Sequence, residues 1–452
     1  MGLDAKVGRE MLNPLNRPIQ PIVLVPGIMG SRIHKFGDPK TPIWDPDDTL
    51  AMLKLADLMT EPRRKLVGLT TSGQVFKKGS KAASLTPLEE ERGWGGLAWG
   101  FYGPGLQALR KYSQKIGGVV YGFGYDWRQS NWLSGSLLKD KIAKIRAENE
   151  DKKVLVVTHS MGGLVTRAAC KLGAESDVIG VVHTMQPANG TPLAYRQFKT
   201  GGAALHWVLA DVVLGRIVGR TPIQYHAMNS GLRAPYELLP NDFHYRTTGN
   251  EENEPPGKPA HRKAWLTMHK DVQVSLPPSY SMYDVYRERT GKLGLIDYDY
   301  YQQNESLIIG EGWVIPHRIS GKAIYEGVIA GVEGARKFHQ QRLGSYVHPN
   351  TSVVAGTGLE TDVAVHMDHN PNWFSPDTAD AVMKRENHGD ATVALSSATC
   401  LPLKARPDIN LADKDRQGFV KGVGHAAAFA ESDAFNCLVW KMCEQVLLCG
   451  DK

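Results

Sequence analysis

The sequence predicts an α/β fold, a mostly parallel sheet with helices on both faces and a cap insertion. Three observations carry this reading. Short apolar runs rich in valine and isoleucine alternate with stretches of helical periodicity. One such run, Val154 to Val157, breaks at Thr158-His159-Ser160-Met161-Gly162 directly into a helical pattern. The alternation stops after Pro192 and returns at Thr351. Strands separated by helices of this length argue for parallel pairing, because a parallel strand needs a crossover connection.

Taken in order, Pro21 to Gly27 (PIVLVPG) reads as a short buried strand ended by a Gly/Pro turn. Gly118 to Phe123 is a second strand, followed by a helix with Leu138, Ile142 and Ile145 on one face. The strand at Val154 feeds a helix in which Leu164, Val165, Ala168 and Leu172 recur at helical spacing, and Val178 to Val182 is another apolar strand. Residues 193–345 hold aromatic, polar and Gly/Pro-rich pieces, including a loop at Thr247 to Arg262, and read as a cap inserted between core segments 18–192 and 346–449. The chain closes on a helix with Phe435, Leu438, Val439, Met442 and Val446 along one face.

Bulk properties narrow the class. With 452 residues and 42% hydrophobic content the chain can bury a large core. A net charge of +6 without a block of five or more basic residues argues against nucleic-acid binding. The five cysteines are odd in number and none forms a C-x-x-C pair, which favours free thiols. The first residues lack the apolar centre of a secretory signal, and no run of 18 apolar residues occurs. The expectation is a protein of the cytoplasm, or one exported without an N-terminal signal peptide.

The break at Ser160 has the layout of a nucleophile elbow: strand, tight turn with serine at its apex, helix. The first glycine of G-x-S-x-G is Thr158 here, while Gly162 and Gly163 remain. The competing reading is a serine that caps a helix. An acyl-transfer serine needs a base, an acid that orients the base, and amides for the oxyanion. In α/β-hydrolases these follow in the order Ser, acid, His. Asp390, in His388-Gly389-Asp390-Ala391-Thr392-Val393, is the acid candidate, with Asp362 and Asp368 behind it; an Asx-turn is the alternative. His425 follows a short apolar segment and a glycine just ahead of the last helix, and is the base candidate. The backbone N–H groups of Ile28 and Met161 are the expected oxyanion donors. His159 is expected to point away and to be structural.

VLVPGIMGS (Val23 to Ser31), YDWR (Tyr125 to Arg128), HSMGG (His159 to Gly163), GDATV (Gly389 to Val393) and GH (Gly424-His425) stand in this order. Together they resemble the lecithin:cholesterol acyltransferase-like lipases and phospholipases. The resemblance implies an α/β-hydrolase fold and chemistry on ester-linked acyl chains. It implies Ser160, Asp390 and His425 as triad and Ile28 and Met161 as oxyanion donors, in agreement with chain order. The Asp126/Arg128 pair with Trp127 reads as a brace for the loop after the second strand. Unlike the family's secreted animal members, this sequence shows no signal peptide; bacterial lipase effectors exported without one share such cores.

The expected partner is a lipid or acyl-ester substrate, met by transient contact with a membrane surface. No cofactor and no nucleic acid is expected, and the sequence names no protein partner. Three segments are candidate lid or lipid-facing elements: Ala203 to Gly219, Gly93 to Gly105 with Trp94, Trp99, Phe101 and Tyr102, and Leu50 to Met59 with Trp44 nearby. His366-Met367-Asp368-His369 holds metal-type ligands, but so tight a run rarely converges on one ion, and no metal is expected. The expected activity is phospholipase A or lipase/esterase. The alternatives are an acyltransferase with the same triad, a peptidase or amidase, and a non-catalytic binding protein of the same fold.

Overall fold

The computed structural model describes residues 20–57, 60–114, 118–202, 217–244, 265–268, 272–273, 280–289, 293–304, 307–309, 317–367, 381–401 and 412–450. Six strands build the central sheet: β1 (Ile22–Val25), β2 (Val120–Gly122), β3 (Val154–His159), β4 (Val178–Thr184), β5 (Thr351–Thr357) and β6 (Gln417–Lys421). Their order is β6-β5-β4-β3-β1-β2, and every pair is parallel.

Alternation explains why both faces are covered. Side chains along a strand point to opposite faces. Val23, Val25, Val154 and Val156 enter one core with Leu138, Ile142 and Ile145 of α2 (Asn131–Glu148) and Leu164 and Val165 of α3 (Gly162–Ala169). Ile22, Leu24, Leu155 and Val157 enter the other with Leu106 and Leu109 of α1 (Trp99–Gln114) and Phe435, Val439 and Val446 of α6 (Asp433–Cys449). Near-continuous apolar strands are what a parallel sheet buried on both faces requires.

Smaller elements surround this frame. Ile33–Lys35, Asp38–Trp44 and Gly73–Val75 form a three-stranded antiparallel sheet between β1 and β2. Thr361–Met367 pairs with both Ala381–Glu386 and Leu266–Met268, so one small sheet joins segments on either side of β5. A third core packs α4 (Pro192–Thr200) and α5 (Gly321–Arg336) with a group of tyrosines. No helix among the described residues is long and apolar enough to cross a membrane.

Candidate active site

The site lies past the C-terminal ends of β1, β3, β5 and β6, where open parallel sheets place their ligands. β3 ends at His159 and α3 begins at Gly162, which leaves Ser160 on a turn with φ +52°. That left-handed conformation is uncommon for a residue with a Cβ. It is held by the Ser160 amide donating to the Thr184 carbonyl at 2.9 Å, and by the Gly163 amide donating to the Ser160 carbonyl at 3.0 Å. Met29, Met185 and Ala391 also have positive φ, so backbone strain gathers at the strand ends around the serine.

Close approach, not flexibility, explains two of the glycines. A Cβ on Gly162 would lie 2.5 Å from the carbonyl oxygens of Val25 and Pro26. One on Gly27 would lie 2.8 Å from the Ser160 Cβ and 3.3 Å from its Oγ. The loop after β1 therefore presses directly on the serine. Thr158, which replaces the first motif glycine, is fully buried and finds a partner in β4. Its Oγ1 lies 3.0 Å from His183 Nδ1, and its carbonyl accepts the Thr184 hydroxyl at 2.8 Å.

The three side chains expected to act together meet. Ser160 Oγ lies 2.8 Å from His425 Nε2, and His425 Nδ1 lies 2.8 Å from Asp390 Oδ2. Ser160, His425 and Asp390 are 6%, 9% and 1% exposed. The remaining carboxylate oxygen, Oδ1, accepts the amides of Thr392 at 3.0 Å and Val393 at 2.7 Å. This is the Asx-turn geometry named as the alternative, and Asp390 adopts it while it also engages the imidazole. The His425 amide donates to the Asp390 carbonyl at 3.0 Å, which fastens the acid and base loops together by backbone. Of the reserve acids, Asp362 is held by Arg196 at 2.9 Å and by Arg385 at 3.1 Å, and Asp368 lies outside the described residues.

Ile28 sits in a turn closed by the Gly30 amide on the Gly27 carbonyl at 3.1 Å. Among the described residues, neither the Ile28 nor the Met161 amide has a hydrogen-bond acceptor, so both remain available beside Ser160. The YDWR segment braces this loop. The Tyr125 hydroxyl donates to the Pro26 carbonyl at 2.8 Å, and Trp127 meets Trp44 edge-on at 5.5 Å. Arg128 pairs with Asp126 at 2.6 Å and donates to the carbonyls of Val67, Gly68 and Thr71.

His159, expected to point away and to be structural, is buried with its ring centroid 4.9 Å from that of His425. Its Nδ1 lies 2.8 Å from the Tyr102 hydroxyl and its Nε2 lies 3.0 Å from the His425 carbonyl. Burial, reinforced by the neighbouring His425, pushes its pKa well below the usual histidine value. Burial likewise pushes the Tyr102 phenol upward. Sequence reasoning placed Tyr102 only among lid aromatics. Its position here depends on α1 crossing the end of the sheet, for which the sequence has no signal.

The other lid candidates fall variously. In the Gly93 to Gly105 stretch, Trp94 is buried with its indole N–H on the Val120 carbonyl at 3.0 Å, and α1 starts at Trp99. In the Leu50 to Met59 stretch, Leu50 and Leu53 are exposed on the helix Thr49–Asp57. The Thr247 to Arg262 loop and all of Ala203 to Gly219 except positions 217–219 lie outside the described residues. His366 lies 3.1 Å from Thr267 Oγ1, while His369 lies outside the described residues. No group of three or more metal-type ligands occurs among the described residues.

A wholly parallel sheet with a left-handed serine between strand and helix defines an α/β-hydrolase fold. Residues 102–241 match the family model described as lecithin:cholesterol acyltransferase. A relative from Arabidopsis thaliana, "Lecithin-cholesterol acyltransferase-like 4", is 26% identical over 174 residues, 35% of this chain and 31% of that protein. The match thus spans about a third of the curated relative's length. The resemblance to lecithin:cholesterol acyltransferase-like lipases is therefore carried by a family model and a curated relative, in addition to the short motifs. Among solved structures, "The crystal structure of Tle4-Tli4 complex" superposes with a TM-score of 0.68 at 18% identity, covering 96% of this chain and 99% of that one. That likeness is one of fold.

Proposed function

We propose that this protein is a serine-dependent lipid ester hydrolase, of phospholipase A or lipase/esterase type, working through an acyl-enzyme. The observation that carries the reading is the buried hydrogen-bonded chain Ser160–His425–Asp390 beside two amides that have no acceptor among the described residues. The Ser160 hydroxyl proton passes to His425 Nε2 as Oγ attacks the ester carbonyl carbon. The carbonyl electron pair moves onto oxygen, where the Ile28 and Met161 N–H groups receive it. The intermediate collapses, the ester C–O bond breaks, and His425 returns the proton to the departing alcohol. A water molecule then attacks the acyl-enzyme as His425 takes its proton, the bond between the acyl carbon and Ser160 Oγ breaks, the carboxylic acid leaves, and His425 returns the proton to Oγ. Asp390 holds the Nδ1–H tautomer and stabilises the imidazolium.

The resemblance to acyltransferases supports a second reading, in which an alcohol replaces water in the last step. The residues are the same for both. The lipid class of substrate is supported by the family match and by exposed leucines on the helix after the oxyanion loop, Leu50 and Leu53. The structure of similar fold is that of a Tle4-Tli4 complex, and a protein partner of this chain can be sought by co-purification.

The test is a panel of p-nitrophenyl esters of increasing acyl length, then phospholipid vesicles, with wild type and Ser160→Ala. Turnover that rises with acyl length and vanishes in Ser160→Ala is expected. A folded wild type that cleaves none of them ends the reading. Added sterol or long-chain alcohol separates transferase from hydrolase by the appearance of a new ester.

A further inference from the structure

We infer that Tyr102 and His159 are positioning residues that lock the backbone of His425 to the oxyanion loop through one directional hydrogen-bond chain. The inference rests on the hydrolase reading above and deepens it. The chain has three links. The Gly27 amide donates to the Tyr102 oxygen at 2.9 Å, Tyr102 reaches His159 Nδ1 at 2.8 Å, and His159 Nε2 reaches the His425 carbonyl at 3.0 Å.

Chemistry fixes every direction. A carbonyl oxygen only accepts, so His159 Nε2 must carry a hydrogen. The neutral imidazole then presents Nδ1 as an acceptor, and the Tyr102 O–H must donate to it. The Tyr102 oxygen is left with lone pairs for the Gly27 N–H. All the polar groups involved are buried, so an unmade link would leave an orphan.

The surroundings hold the chain in place. Phe429 meets the His159 ring edge-on at 5.8 Å and lies 6.0 Å from the Tyr102 ring. Asp47 accepts the amides of Trp99 at 2.7 Å and Gly100 at 2.9 Å, which pins the start of the helix that carries Tyr102. The two ends of the chain are the parts of the site that must stay in register: Gly27 precedes the donor Ile28, and His425 is the base. Asp390 orients the His425 ring from one side, and His159 anchors its backbone from the other. A neutral His159, with ring centroids 4.9 Å from His425, also adds no second cation when His425 takes up the serine proton.

Three variants divide the chain. Tyr102→Phe keeps the ring and removes both hydroxyl links. His159→Asn places an amide near Nδ1 and loses the donor to the His425 carbonyl, whereas His159→Gln keeps a donor near Nε2. With a soluble p-nitrophenyl ester, Tyr102→Phe and His159→Asn are expected to lower kcat about tenfold with KM within about twofold. His159→Gln is expected to recover most of that loss. The rate of Ser160 labelling by a fluorophosphonate should follow the same order. Unchanged kcat and labelling in folded Tyr102→Phe and His159→Asn would overturn the inference.

A second measurement does not depend on activity. In 15N-histidine spectra, His159, assigned by its absence in His159→Gln, should be the neutral Nε2–H tautomer, and Tyr102→Phe should shift its Nδ1 signal. An Nδ1–H tautomer, or a signal blind to Tyr102→Phe, overturns the chain. If wild type is neither labelled nor active while these spectra hold, it is the hydrolase reading that fails.

Discussion

The sheet core and the core built on α4 and α5 are made of different materials. The first is aliphatic: Val23, Val156, Leu155 and their neighbours stack in alternation from strand to strand. The second is built on tyrosines, with Tyr195, Tyr225, Tyr236, Tyr283, Tyr286 and Tyr301 packed against Phe198, Ile324 and Val328. Every buried phenol brings a hydroxyl that needs a partner. Tyr195 donates to the Leu293 carbonyl at 2.8 Å, Tyr286 to the Pro240 carbonyl at 2.5 Å, and Tyr301 lies 2.7 Å from His226 Nδ1. Aliphatic packing is set by volume and period, whereas tyrosine packing adds hydroxyls that call for acceptors, and those of Tyr236 and Tyr283 find none among the described residues. The first can support strained turns at its edge, and all the proposed chemistry sits there. The second carries no part of the proposed triad.

This contrast is open to direct attack. The largest effect belongs to the edge of the sheet. Ser160→Ala should lower ester turnover on the order of 10⁴-fold or more, and Asp390→Asn on the order of 10³- to 10⁴-fold. Both should leave the unfolding free energy within roughly 0.5 to 1 kcal/mol, read by urea titration. Parallel loss of stability and activity would erase the distinction. Phe198→Ala, at a fully buried ring, should do the reverse. It should cost about 3–5 kcal/mol while fluorophosphonate labelling of the folded protein at low temperature stays within about twofold.

The seam between the two cores gives the third test. Glu237 is buried and accepts the Ser130 hydroxyl at 2.6 Å and the Asn131 amide at 2.7 Å, at the start of α2. Burial, partly offset by these hydrogen bonds, raises its pKa from 4.5 to about 7. The folded state therefore holds a proton that the unfolded state has released between those values. Stability from this group is greatest below about 4.5 and falls as pH rises to about 7, by an amount on the order of 3 kcal/mol. The difference in urea midpoint between wild type and Glu237→Gln should grow in the variant's favour across that range; a constant difference would remove Glu237 as the cause. The smallest effect is Tyr301→Phe, which strips His226 Nδ1 of its partner and should cost about 1–2 kcal/mol by thermal unfolding.

The sheet and the three proposed catalytic side chains were legible because each is announced locally. Ser160, Asp390 and His425 all stand on turns marked by nearby glycine beside apolar runs, and such turns are short-range chemistry. The tyrosine core was legible only as a change of rhythm, since its order depends on acceptors such as Pro240 and Leu293 far along the chain. Thr158 was legible as an irregularity but not as a solution, because its partner His183 lies on the neighbouring strand.

The sequence by itself determined the elbow, the order Ser, Asp, His, and the α/β architecture, because strand alternation and helix periodicity are encoded within a few residues. The tertiary structure alone decided that β1 lies between β2 and β3, which sets the Gly27 turn against Ser160. It alone brought Tyr102 to His159 and His159 to the His425 carbonyl, across 57 and 266 residues of chain. Hydrogen-bond partners that distant follow from the order of strands and the path of α1, and no local period encodes either.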